Sequence, residues 1–194
     1  MLKKPKLINY TLPIMAMVAV ITASNVLVQY PLNDWLTWGA FTYPMAFLVT
    51  DITNRFYGRY RAQVVAGIGF PFGMFLSVFL SLHADFDVWT SIRIALASGF
   101  AFICAQLLDI FVFDKLRRMS WWRAPLISSV LASALDTLIF FSVAFAGSGL
   151  PWITWGLGDF GVKIGMALMM LVPFRIFIEL LRIRNDQASG RDVA

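Results

Sequence analysis

Charge is scarce in this sequence. Charged residues make up 14% of the chain and hydrophobic ones 59%, whereas an ordinary soluble domain carries roughly 25% charged residues. That shortage excludes a water-soluble surface. Cysteine is almost absent: the single Cys104 lies inside an apolar run, which excludes a disulfide framework and a Cys-based metal site. The single histidine, His83, sits in a polar loop without the Cys, His or acidic spacing of a metal site, so no metal is expected. No Gly-x4-Gly-Lys-Ser/Thr loop is present, which excludes ATP hydrolysis by that route. Gly147-Ser148-Gly149 reads as a loop and helix terminus, because a nucleophile elbow needs Gly-x-Ser-x-Gly after a strand. Nothing calls for a cofactor, and the chain does not read as an enzyme.

What is present is long apolar runs. Mean hydropathy is +0.74, and a helix needs about 20 apolar residues to cross a hydrocarbon core about 30 Å thick. Six such segments are expected, at about 7–29, 36–50, 63–82, 91–113, 124–146 and 155–181. The fold class is therefore an all-α membrane protein, one six-helix bundle over 1–194 with no soluble domain, long linker or internal repeat. Lys3, Lys4 and Lys6 before the first run resemble the start of a signal peptide. The run is too long and lacks a small-residue cleavage site, which predicts a retained helix. The second segment is short for a full span and runs into the polar stretch 51–61.

Six crossings place the basic residues on one side. Lys3, Lys4, Lys6, Arg55, Arg59, Arg61, Lys115, Arg117, Arg118, Arg123, Arg175, Arg182, Arg184 and Arg191 share it, leaving only Arg93 and Lys163 within predicted helices. By the positive-inside rule that side is the cytoplasm, and both termini lie there. Trp35, Trp38, Trp89, Trp152 and Trp155 mark the outer interface and Trp121 with Trp122 the inner one, as aromatic belts do. The net charge of +5 and pI near 9.7 thus reflect topology in the lipid bilayer, and no nucleic-acid partner is expected.

A charge at the centre of a span costs at least about 2.5 to 3.5 kcal/mol, so each requires a partner, a wet cavity or a function. An outer group holds Asn25, Gln29, Arg93, Asp136, Asp159 and Lys163. Asp136 lies about 20 Å in from Arg123, and Lys163 about 16 Å in from Trp152. The pair could neutralise each other and fix the fifth helix against the sixth, or wall a polar cavity open to the outside, or do both. An inner group holds Asp51, Asn54 and Tyr57 with Gln106 and Asp109, the spacing of three placing Asp51 with Asn54, and Gln106 with Asp109, on shared helical faces. Here Asp51 could instead pair with Arg55, Arg59 or Lys115.

Several segments resemble the queuosine-precursor transporter family, also called the vitamin-uptake-like transporter family. They are Thr22 to Gln29; Thr37-Trp38-Gly39-Ala40-Phe41 leading to Asp51-Ile52-Thr53-Asn54-Arg55-Phe56-Tyr57-Gly58; Gln106-Leu107-Leu108-Asp109; Ser133 to Phe141 with Ala144-Phe145; and Lys163 with Pro173. Many members carry Glu where this chain has Arg55, and Arg there looks like the proteobacterial branch. The resemblance implies a fold similar to the six-helix substrate-binding subunits of energy-coupling-factor transporters. It implies a bacterial inner-membrane protein importing a small molecule, 7-cyano-7-deazaguanine and/or 7-aminomethyl-7-deazaguanine. Such a base offers adjacent N–H donors to a carboxylate and a carbonyl to a donor. Asp136 or Asp109 could read the donor edge, and Asn25, Gln106 or Lys163 the carbonyl. Asp136, Asp159 or Asp109 could carry a coupling proton, while facilitated diffusion remains open. An alternative is a substrate-capture subunit of an ATP-driven vitamin or nucleobase uptake complex; an intramembrane enzyme using Asp51, Asp109 or Asp136 is disfavoured by their different depths.

Overall fold

The computed structural model describes residues 11–27, 30–33, 36–81 and 88–188. The elements run α1 (Thr11–Leu27), β1 (Pro31–Asn33), β2 (Leu36–Thr37), α2 (Gly39–Thr42), α3 (Met45–Tyr57), α4 (Arg59–Ser81), α5 (Val88–Leu116), α6 (Arg123–Phe145) and α7 (Trp152–Ala188). Four stretches are long and apolar enough to cross a membrane: Arg59–Leu80, Ile92–Leu116, Arg123–Phe145 and Trp152–Leu180. The apolar helix α1 is shorter, with 17 residues, and α3 has 13. The fold is thus helical, apart from one small antiparallel hairpin of β1 and β2.

The second apolar segment departs from its expected span of about 36–50. It opens with the hairpin strand β2, makes one turn of helix in α2, and breaks at Tyr43-Pro44 before α3. Pro44 occupies the N-cap of α3, where its missing N–H costs no helical bond. The helix then continues through the polar stretch to Tyr57 and stops at Gly58, whose φ of 89° only glycine adopts readily. Its buried residues Ala46, Phe47, Thr50, Asp51, Thr53 and Asn54 form one helical stripe. Hydropathy equates polarity with exposure, so it ends this helix at the point where its buried face turns polar.

Packing is inverted relative to a soluble protein. Large side chains such as Leu96, Phe100, Leu138, Leu157 and Val172 are exposed, while the interior is built from Ala62, Ala66, Ala97, Ala101, Ala105 and Ala132 and from buried polar residues. Small interior residues let helix backbones approach closely, as membrane bundles require. Gly69 on α4 shows this against α1: a Cβ there would stand 2.8 Å from Met17 Cγ and 2.9 Å from Ile21 Cδ1. The most extensive helix contact joins α5 to α6. At the basic end, Arg55 donates to the Arg117 carbonyl at 2.5 Å and Arg117 returns a bond to the Arg55 carbonyl at 3.3 Å, tying the end of α3 to the end of α5.

Candidate functional site

The sequence places an aspartate midway along α6 and a lysine on α7, and the packing of these helices brings them together. The Lys163 ammonium lies 2.7 Å from Asp136 Oδ2 and 2.5 Å from Asp159 Oδ2, one turn earlier on α7. It also donates to Thr137 Oγ1 at 3.2 Å, and Thr137 donates to Asp159 Oδ2 at 2.8 Å. Tyr43, from the break between α2 and α3, donates its hydroxyl to Asp136 Oδ1 at 3.2 Å, and its ring centroid is 5.7 Å from the ammonium. One lysine therefore serves two carboxylates. The side chains of Asp136 and Lys163 are each 5% exposed, whereas that of Asp159 is 19% exposed.

Asn25 stands apart from this triad. Its amide donates to the Ile21 carbonyl at 2.9 Å and accepts from Ser77 at 2.8 Å. It lines a separate cavity with Ser24, Tyr43, Phe70, Ser77 and Phe102, so the Tyr43 ring is the wall this cavity shares with the triad. Arg93 does not join the outer group: it is exposed and donates to the Val143 and Ala146 carbonyls at 2.7 Å each, closing the C-terminal end of α6. A cation there complements the helix dipole. Gln29 lies outside the described residues.

The inner group converges from three helices. Asp51 and Asn54 on α3, and Gln106 and Asp109 on α5, are all buried, and the carboxyl groups of Asp51 and Asp109 lie against each other. Ser128 of α6 is within reach of both, Ser129 reaches Asp109, and Thr50 donates to Asp109 Oδ2 at 3.4 Å. Asn54 donates to the Ile110 carbonyl at 2.9 Å. The basic partners considered for Asp51 are engaged elsewhere: Arg55 at Arg117, and Arg59 and Lys115 over the Phe111 ring at 5.1 and 5.6 Å. Asp51 Oδ1, Asp109 Oδ1, Asn54 Oδ1, Ser133 Oγ and both polar atoms of Gln106 are buried without a hydrogen-bond partner. In a bilayer interior such atoms are costly.

A slot wide enough for about one water joins the two groups, lined by Pro44, Phe47, Asp51, Ser129, Ser133 and Lys163 among others. Among the described residues no set of three or more His, Cys, Asp or Glu side chains could hold a metal. Tyr43 and Thr137 are site residues that hydropathy misses. Thr137 follows Asp136 directly, which was a usable signal, whereas Tyr43 is 93 positions from its partner and carries none beyond its neighbouring proline.

Apolar exterior, small and polar interior, and charged groups held within the spans define a multi-pass membrane protein of the transporter class. Residues 37–178 match the family described as "Putative vitamin uptake transporter". The chain is 35% identical over 192 residues to the "Queuosine precursor transporter" of Escherichia coli, covering 88% of this chain and 86% of the relative. It is 34% identical over 190 residues to the "Probable queuosine precursor transporter" of Haemophilus influenzae, covering 79% of each. A Bacillus subtilis protein of the latter name is 28% identical over 175 residues, covering 79% of this chain and 76% of that protein. The chain belongs to the queuosine precursor transporter family, and it is a multi-pass protein of the bacterial inner membrane. No solved structure matches it.

Proposed function

We propose that this chain imports queuosine precursors, 7-cyano-7-deazaguanine and/or 7-aminomethyl-7-deazaguanine, across the inner membrane. The observation that carries the reading is the Asp136–Lys163–Asp159 triad, buried within the bundle beside the Tyr43 ring. A 7-deazaguanine edge presents a carbonyl acceptor next to N–H donors. An ammonium 2.7 Å from a carboxylate presents the opposite order, donor next to acceptor. The base would exchange the internal ion pair for two matched contacts, leaving Asp159 to hold the lysine, and Tyr43 supplies an aromatic face. The outer group, Asn25 and the triad, then receives the base first, and the inner group of Asp51, Asn54, Gln106 and Asp109 lines its exit, which requires the helices around the narrow slot beside Asp51 to part.

The architecture we associate with this function has six crossings within 1–194, with α1 and the α2–α3 segment as the two shorter ones, similar to the substrate-binding subunits of energy-coupling-factor transporters. The test is accumulation of both radiolabelled bases by cells expressing the chain or Asp136→Ala at equal membrane level. Uptake by the intact chain and its loss in the variant is the expected result. No uptake despite correct insertion overturns a solitary carrier, and uptake only with a co-expressed ATP-driven module makes the chain a capture subunit.

A further inference from the structure

In the outer triad a lysine offsets one of two negative charges and the other belongs to the partly exposed Asp159, but the inner carboxylates have no such compensation. Among the described residues no lysine or arginine forms an ion pair with Asp51 or Asp109. Both are fully enclosed, Asp51 at 2% and Asp109 at 0% exposure, and each retains an oxygen that no donor reaches. Beside them, Gln106 on the face of Asp109 has both polar atoms unpartnered at 1% exposure. Two carboxylates set against each other away from water cannot both stay ionised without a cation, because their repulsion adds to the cost of burial.

On α3 the next charge is Arg55, engaged at Arg117. On α5 the other charges are Arg93, held at the Val143 and Ala146 carbonyls, and Asp114 and Lys115 toward its basic end, with Asp114 paired to Arg117. On α6 the facing groups are the serines, while Asp136 is held by Lys163 and Arg123 lies over Trp122. Lys163 of α7 lines the same slot but is taken up by its two carboxylates. Arg59 and Arg61 open α4, Arg59 over Phe111, and α1 brings no titratable residue among 11–27. The Thr50 hydroxyl lies 3.4 Å from Asp109 Oδ2 but is shared with the Phe47 carbonyl, and Ser128 beside the pair also reaches the Pro125 carbonyl, so the surrounding hydroxyls leave a carboxyl and carboxylate to share a hydrogen between themselves.

We infer that Asp51 and Asp109 hold one proton between them and form the site at which a proton gradient drives uptake. The inference rests on the transport reading. The slot past Ser133 and Ser129 brings a water-borne proton from the outer side to Asp51; the pair releases it to the cytoplasm as the base leaves. One proton then moves inward per base, and no bond of the base changes.

The test uses the purified full chain in liposomes with a trapped pH dye, and labelled 7-cyano-7-deazaguanine, which is uncharged. With the lumen one pH unit more alkaline, the base should accumulate up to about tenfold, with one proton per base. Asp51→Asn and Asp109→Asn should each bring that ratio to zero, whatever rate of base movement remains. The infrared carbonyl band of the shared carboxyl proton, present in the wild type at neutral pH, should change in frequency in either variant, and a band identical in the wild type and both variants would overturn the shared proton. The wild-type proton count stands even if the variants fail to fold. Base exchange without proton movement, or driven equally by a sodium gradient, overturns the coupling alone. Absence of all base movement overturns the transport reading, and the coupling with it.

Discussion

Lys163 and Asp136 stand 2.7 Å apart across the α6–α7 contact, with both side chains almost wholly enclosed. The bond holds the helices together and also occupies the groups proposed to read the base, so stability and uptake must be separated by experiment.

Lys163→Met leaves Asp136 and Asp159 without their cation. Breaking a buried pair from one side costs about 3 to 5 kcal/mol, whereas replacing both partners by apolar groups is often neutral. The single variant should therefore show a lowered thermal unfolding midpoint in detergent. The triple variant Lys163→Met/Asp136→Leu/Asp159→Leu, which removes every member of the triad, should regain most of that stability and still fail to accumulate the base. Uptake by the triple variant would remove the triad from the binding site.

Tyr43→Phe deletes one donor to Asp136 and keeps the ring. A net loss of about 0.5 to 1.5 kcal/mol is expected, read as up to about a tenfold weaker competition by unlabelled base in uptake assays, with unchanged membrane level.

Gly69 lies where α1 and α4 meet most closely. Gly69→Ala forces Met17 and Ile21 aside and should cost about 1 to 3 kcal/mol, the range of modest overpacking; Gly69→Leu should cost more and lower the yield of folded protein. Equal unfolding midpoints for wild type and Gly69→Leu would mean that the two helices do not pack this way.

The six crossings proposed above make a definite topology. An alkaline phosphatase fusion after Ser148, in the turn following α6, should be active outside the inner membrane, and one after Ala188 should be inactive inside. Matching activities at the two positions would mean that α7 does not cross.

Much of this arrangement was legible in the residues, because a charge inside an apolar run stands out in any hydropathy profile. Asp136, Lys163, Asp109 and Asp159 were found that way, and four long apolar helices followed from run length alone. Arg93 stood out equally, yet a helix carries charges at its margins as well as its centre, and one residue's depth cannot say which carbonyls it will meet. The end of α3 was misplaced because a polar stretch reads as a loop unless its partners are known, and those partners, Asp109, Ile110 and Ser128, come from other helices. The ionic partners weighed for Asp51 were plausible by proximity in sequence, but Arg55 is drawn to the Arg117 carbonyl. Tyr43 had no local sign beyond the proline beside it, since its role arises from a bond to a residue 93 positions away.

That tyrosine has a mechanical consequence. Its hydroxyl is anchored to Asp136 while its ring forms a wall of the chamber containing Asn25 and Ser77. A phenol is a flat, stiff plate with two rotatable bonds, so this one side chain fixes the spacing between the buried carboxylate and the chamber, and a displacement of its ring would be felt at both.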